Sequence, residues 1–461
     1  MEAKGSFRDG PQPAEFRQKL KLILVLACLI IFALMVRLWY LQVIRGEELK
    51  HRSENNAVRL RAIPPLRGLI MDRHGEVMVD NRASFDVLAM PAKDIQPQML
   101  VPKIQEIYKT KSAEFVPDQP LPAAIKTHLP VRLEKNVGLD KVALVETNSI
   151  DLPGVYIGVT PVRLYVDGEV IAPIIGYTGE VSKEELDLGK GDFLPGDITG
   201  KTGLEKMLDP YLRGRRGNEL IEVNAFGRVI KNLGRIDPVS GADVVLTIDA
   251  NLQRVSWEAF AGLAGAAVAM DPRDGSILAM VSAPSFDPNL FNSGIARDQW
   301  NQLQNNPLKP LSNRVISGQY PPGSTYKMIV AAAALEEGII TPETKVHCNG
   351  TFVLGGRAYR CWKKHGHGPV NLHRALVESC DVYFYTVGRM LGVDKIAQYA
   401  EKFGLGGLTG IELPHEKRGL VPTKDWKLAR MKEPWQQGET ISISIGQGFN
   451  LTTPLQLAQA Y

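Results

Sequence analysis

No long basic stripe interleaved with aromatics runs through this sequence, and 54 lysines and arginines stand against 50 acidic residues, a net charge of +4. That balance excludes the electrostatic footprint of a nucleic-acid-binding protein. A phosphate loop is missing too. "GDITGKTGLE" (196–205) leaves three residues between Gly196 and Gly200 where the loop needs four before G-K-[ST], and the turn-like "LPGD" precedes it. Cysteine is scarce, with four in 461 residues and no C-x-x-C knuckle. Long apolar runs are limited to one.

That run, "LILVLACLIIFALMV" (22–36), is uncharged and continues through Arg37 into "LWYLQVI". With Arg37 snorkelling near the outer end, Leu20 to Ile44 reads as a helix able to cross the roughly 30 Å hydrocarbon core. Trp39 and Tyr40 suit the outer interface. Lys4, Arg8, Arg17, Lys19 and Lys21 leave the preceding tail in the cytoplasm and send everything after Ile44 outward. A cleaved signal peptide fits less well, since no small-x-small cleavage site follows and the apolar stretch is too long. The rest of the chain, in a sequence 44% hydrophobic and 23% charged, is long enough for about two or three folded domains.

Beyond the anchor, "DRHG" (72–75) reads as a turn between the strand candidates "LRGLIM" and "EVMVD". Strands, turns and short helical runs such as "SKEELDLG" continue to about Gly241, an α+β module. A turn-rich stretch near Asp237 marks the next boundary, followed by a β-rich run from Val244 to Ile248 and a helix from Ala250. "GAAVAMDPRDGSILAMVSAP" is a hairpin signal. Helical patterns in "STYKMIVAAAALEEG", "LHRALVESCDVYFYTVGRML" and "VDKIAQYAEKFG" then predict a sheet covered by helices.

In "YPPGSTYKM", Ser324 stands three residues before Lys327, so on a helix starting near Ser324 hydroxyl and amine share one face within hydrogen-bonding reach. The helix dipole favours negative charge on the serine oxygen there, the setting of an activated nucleophile. The plain alternative is Ser324 as an N-cap with Lys327 a solvated helix residue. A second cluster joins Cys348, Cys361, His367 and Cys380 at spacings of 13, 6 and 13 residues in a turn-rich stretch. Three thiols and one imidazole satisfy a tetrahedral structural zinc site, with His347 and His365 as alternative ligands. A Cys348–Cys361 disulfide or buried free thiols also fit, but the odd third cysteine and the histidine favour metal.

The flanks of Ser324 resemble a known family. "LSNRVISGQYPPGSTYKM" looks like the first active-site motif of penicillin-binding transpeptidases, with Asn313, Arg314, Tyr320, Pro322 and Gly323 in the pattern. "ESCD", whose Ser379 lies fifty-five residues after Ser324, matches the second motif, S-x-N or S-x-D. "LTIDANLQ", "GIELPHEKRGLVPT" and "WQQGETISISIGQGFNLTTPLQLAQAY" extend the likeness. "RGLIMDRHGEVM" and "GYTGEVS" with "TGLEKMLD" resemble the class B pedestal. The resemblance covers nearly the whole chain and leans to the elongation-type branch, chiefly through "DWK" and "WQQGETISISIGQG".

That resemblance implies a multidomain protein. It has a cytoplasmic tail (1–19), a single transmembrane helix (20–44), an α+β pedestal of dimerisation type (45–240) and an α/β transpeptidase domain (241–461) built on an antiparallel sheet flanked by helices. It implies a D,D-transpeptidase that cross-links peptidoglycan stem peptides and is trapped by β-lactams, in the inner membrane with its C-terminal domain periplasmic. Ser324 would be the nucleophile, Lys327 its base, Ser379 a proton relay and Asp381 an orienting group. The Ser324 N–H would form half of an oxyanion hole, and Gly323 and Tyr326 would line the substrate site. Acyl transfer requires no cofactor, and the implied partner is a SEDS-family glycosyltransferase of the elongation complex. A β-lactam sensor or noncatalytic scaffold is the alternative, and an uncleaved anchor speaks against a soluble β-lactamase. Asp381 replaces the commoner asparagine and adds negative charge beside Lys327. The third motif, K-T-G, has no match after "IGQG", because the lone "KTG" at 201–203 lies in the pedestal; the expectation is a chain whose C-terminal part continues past Tyr461.

Overall fold

The computed structural model describes residues 13–47, 58–89, 97–109, 114–116, 131–188, 193–223, 229–292 and 294–461. Lys4 and Arg8 of the basic tail lie outside these. The helix Pro13–Trp39 runs into a π-helical turn, Tyr40–Ile44. Lys19–Ile44, with mean hydropathy 2.8, is the one segment among the described residues long and apolar enough to cross a membrane. Arg37 sits 5.6 Å from the Tyr40 ring centroid, which fits a cation held at an interface by an aromatic neighbour.

The pedestal hangs on one long ladder. Strand Val77–Ala89 pairs antiparallel with Val155–Tyr165, from Val79 opposite Tyr165 to Ala89 opposite Val155. At its far end Val87, Ala89 and Val155 pack with Leu100, Ile104 and Tyr108 of the helix Pro97–Lys109. The predicted turn at Asp72 to Gly75 joins Ile70–Met71 to Val77–Ala89, and Lys183–Leu188 is the expected short helix. A separate three-stranded sheet joins Val58–Ile63, Gly217–Val223 and Val229–Ile236.

The β-rich run expected at 244–248 is strand only at Val244–Val245, and it pairs parallel with Ile70–Met71 of the pedestal sheet. A helix follows at Ala250–Glu258 with Asp249 as its N-cap. The expected hairpin is present as Gly265–Met270 against Ile277–Ala283. One core spans both modules: Ile70, Met78, Tyr165 and Ile171 of the pedestal pack with Ile248, Met280, Val315 and Leu455 of the second. The two therefore share buried apolar surface instead of meeting across a wet interface.

The "GKTG" stretch has a structural explanation. Gly200 ends a short strand, Ile198–Gly200, that follows the turn-like "LPGD", and a Cβ there would meet Glu205 O at 1.9 Å. The close approach seats Glu205, fully buried, between Arg67 Nε at 2.5 Å and Arg163 Nε at 2.7 Å. Arg67 also reaches Asp209 at 2.7 Å. Removing one partner from such a network leaves buried charge uncompensated. Glu205→Ala is expected to destabilise the fold by about 3–5 kcal/mol in urea unfolding, far more than an exposed pair would cost.

Candidate active site

The segment after "PPG" winds first into a 3-10 turn, Gly323–Tyr326, and then into the α-helix Lys327–Glu336. Pro322, not Ser324, occupies the N-cap. Ser324 is therefore no capping residue: it is exposed, and among the described residues none holds its hydroxyl in a hydrogen bond. Its N–H belongs to the first turn, where backbone donors have no partner within the helix. Gly323 holds φ +60 and faces open space on its Cβ side.

Lys327 is 2% exposed, and its Nζ donates to Asp381 Oδ1 at 2.6 Å, Ser379 O at 2.9 Å and Ser379 Oγ at 3.0 Å. An ammonium has three donors, so all are used. The sequence led us to expect a Ser324–Lys327 hydrogen bond, yet the amine turns instead to the second motif, whose acceptors fill its donors. Asp381 completes its own shell with Oδ2, which accepts from the Trp362 backbone N–H at 3.0 Å.

The helical run expected from Leu372 onward is broken at the second motif. Leu372–Val377 and Asp381–Leu391 are separate helices, and Ser379 between them takes φ +50. A left-handed serine costs on the order of 1 kcal/mol, and the break turns both its carbonyl and its hydroxyl toward Lys327. Tyr326 corrects the substrate-binding expectation. Its ring is fully buried in the core with Ile329 and Tyr383, so it has no surface to offer a substrate.

The four predicted metal ligands do come together. Ligand atoms of Cys348, Cys361, His367 and Cys380 lie within 4.8 Å of one another, and all four residues are buried. His367 Nδ1 is 3.5 Å from Cys348 Sγ and 3.6 Å from Cys361 Sγ. A tetrahedral zinc with ordinary Zn–S and Zn–N distances has an S···N edge of about 3.6 Å, so the donor set fits. His367 Nε2 lies 3.8 Å from Glu378 Oε2, its nearest carboxylate but beyond hydrogen-bonding distance. The thiols are unpaired, unlike the disulfide alternative, and His347 and His365 are exposed and outside the cluster. Burial, with Cys348 and Cys361 adding to it, pushes the Cys380 thiol up to about 12.

Comparisons with known proteins match this geometry to a family. The penicillin binding protein transpeptidase domain profile matches residues 265–461, and the penicillin-binding protein dimerisation domain profile matches 62–246. The peptidoglycan D,D-transpeptidase MrdA of Acinetobacter baumannii is 39% identical over 447 residues, which are 95% of this chain and 65% of that protein. Its namesake in Escherichia coli K12 is 35% identical over 468 residues, 100% of this chain and 74% of the relative. The chain belongs to the class B penicillin-binding proteins, on the penicillin-binding protein 2 branch.

Among solved structures, the complex of penicillin-binding protein 2 with MreC from Helicobacter pylori aligns with TM-score 0.77 at 31% identity, covering 87% of this chain and 76% of that one. The chain spans 65% of the length of the first relative and 74% of the second. In this penicillin-binding protein the dimerisation match runs through the strand Val244–Val245, in keeping with that strand's place in the pedestal sheet.

Sequence reasoning missed the Trp362 N–H on Asp381 and the place of Glu378 behind His367. A signal for the first was present: if Cys361 and Cys380 meet, Trp362 and Asp381, each one residue further on, are drawn together. Lys327→Ala would leave the Asp381 carboxylate, 13% exposed, without its cation. The expected loss is about 3–5 kcal/mol, read as a lowered urea midpoint at unchanged slope.

Proposed function

We propose that the protein is a peptidoglycan D,D-transpeptidase acting through an acyl-enzyme on Ser324. The observation that carries this reading is the buried Lys327 amine, bound at once to Ser379 and Asp381 and one turn from an exposed, unbonded Ser324. In the reaction, Ser324 Oγ adds to the penultimate D-alanine carbonyl of a stem peptide as its proton passes to Lys327. The peptide C–N bond breaks, and D-alanine leaves with a proton relayed through Ser379. An amine from a neighbouring strand then attacks the ester, and Ser324 Oγ recovers a proton as it departs.

A neutral lysine keeps two N–H donors and gains a lone pair. Asp381 and the Ser379 carbonyl retain the two donors, and the lone pair, turned from the Ser379 hydroxyl, takes the Ser324 proton; the third N–H so restored donates again to the Ser379 hydroxyl, which passes a proton on and is the relay. The Ser324 N–H supplies one donor to the oxyanion, and Gly323, open on one face, lets substrate approach. β-Lactams enter as mimics of the D-alanyl-D-alanine end. Labelling the full-length protein with fluorescent penicillin tests the assignment: Ser324→Ala is expected to abolish the label, and equal labelling of both proteins overturns it.

The N-terminal helix serves as a single-pass anchor with the basic tail cytoplasmic and the catalytic domain periplasmic. Helix and pedestal together suit docking to a SEDS-family glycosyltransferase of the elongation complex. The Cys348, Cys361, His367 and Cys380 centre would hold a structural zinc ion that ties the Trp362 loop to the second motif. Elemental analysis is expected to find one zinc per chain. Cys380→Ser is expected to lose it and lower Tm by roughly 5–10 °C; protein without stoichiometric metal removes this part of the reading.

A further inference from the structure

The turn that carries Ser324 is held from beneath by a segment with no assigned role, "SIGQGFNLTT" (444–453). Gly323 N donates to Gly446 O at 2.9 Å, and Tyr320 and Thr452 exchange two backbone hydrogen bonds, each 2.9 Å. Gly446 itself takes φ +71, and a Cβ there would stand 2.2 Å from Gly323 O, 2.7 Å from Gly323 N and 2.8 Å from Tyr326 Cβ. Three atoms of the nucleophile turn, two of them backbone, thus rest directly on a glycine that has no room for a methyl group.

The same segment reaches the second motif's helix and the turn's buried side. A Cβ on Gly388, in Asp381–Leu391, would meet Ser444 Cβ at 2.3 Å. Asn450 is fully buried beside Tyr326, with its amide against the Tyr326 hydroxyl. Asn450 therefore bears on the turn through the ring that forms its buried side.

We propose that Gly446, with Asn450, positions the nucleophile: contact with Gly446 fixes the Gly323–Ser324 peptide, and with it the direction of the Ser324 N–H and Oγ. These are positioning residues, since neither touches substrate. The inference rests on the acyl-enzyme reading above and concerns the rate of acylation, because displacing a reacting group by a fraction of an ångström reduces rate more than binding.

Gly448 supplies a matched control. It shares the backbone conformation at φ +75, but a Cβ there meets only Ser442 Cβ at 3.4 Å and Ile443 Cδ1 at 3.5 Å, away from the turn. The test compares Gly446→Ala and Gly448→Ala in the full-length protein, measuring Tm and the acylation rate against fluorescent-penicillin concentration. Gly446→Ala is expected to lower the saturating acylation rate roughly 10- to 100-fold at an unchanged half-saturating concentration. Gly448→Ala, which carries the left-handed backbone strain without the clash and so a smaller Tm loss, is expected to stay within about threefold of the parent. Equal rates in the two variants overturn the proposal. A parent whose labelling does not depend on Ser324 overturns the acyl-enzyme reading instead, and the inference with it. Should Gly446→Ala fail to melt cooperatively, Asn450→Leu decides: slower acylation at undiminished Tm supports the proposal, and the parental rate overturns it.

Discussion

The buried Lys327 ammonium is the constraint around which the catalytic half of the molecule is arranged. Removing a cation from water is tolerated only where acceptors replace the lost hydration. Here the acceptors come from a single interrupted helix, with Ser379 supplying two and Asp381 the third. The break at Ser379 is thus part of the solvation of Lys327, for a continuous helix would have kept that carbonyl inside its own hydrogen-bond ladder. Asp381 in turn needs a partner for its second oxygen, and the Trp362 N–H meets that need. The loop bearing Cys361 is thereby tied to Lys327 through a single carboxylate.

How much of this was legible in the sequence depended on whether a feature had a local signature. Ser324, Lys327, Ser379 and Asp381 stood out because their motifs are short and their flanks distinctive, and the structure brings the last three into contact. The hairpin at 265–283 was legible because "DPRDG" between two apolar runs is turn chemistry. The cysteine cluster was legible as a donor count, though not as a geometry. The break at Ser379 was not, because left-handed backbone at a serine has no composition signal and is imposed by tertiary contacts. The burial of Tyr326 was not legible for a related reason: adjacency to Ser324 in sequence says nothing about which way a ring points in a 3-10 turn. The strand Val244–Val245 seemed to open a new module, but its partner lies more than 170 residues earlier, a pairing that no local pattern encodes.

The glycines divide along the same line. Several sit in turns where sequence alone announces them, whereas Gly446 is needed because the distant backbone of Gly323 passes within van der Waals distance. Only the folded structure shows that Gly446 is a neighbour of Gly323.

Three segments therefore converge on one small volume from different directions. The cysteine and histidine loop approaches from the Trp362 side, the interrupted helix supplies the acceptors, and the 444–453 segment supports the turn beneath Ser324. Each contact uses backbone atoms, at Trp362 N, Ser379 O and Gly446 O, and backbone groups leave a site less readily than flexible side chains do. Such a site is preorganised by the fold, with the groups around Ser324 already held in place. The same arrangement explains why the pedestal and the second module share a core. Anchoring Val315 and Leu455, which flank the Ser324 turn and its support in sequence, in one apolar cluster with Ile70 and Tyr165 makes the geometry of that turn a property of both modules together.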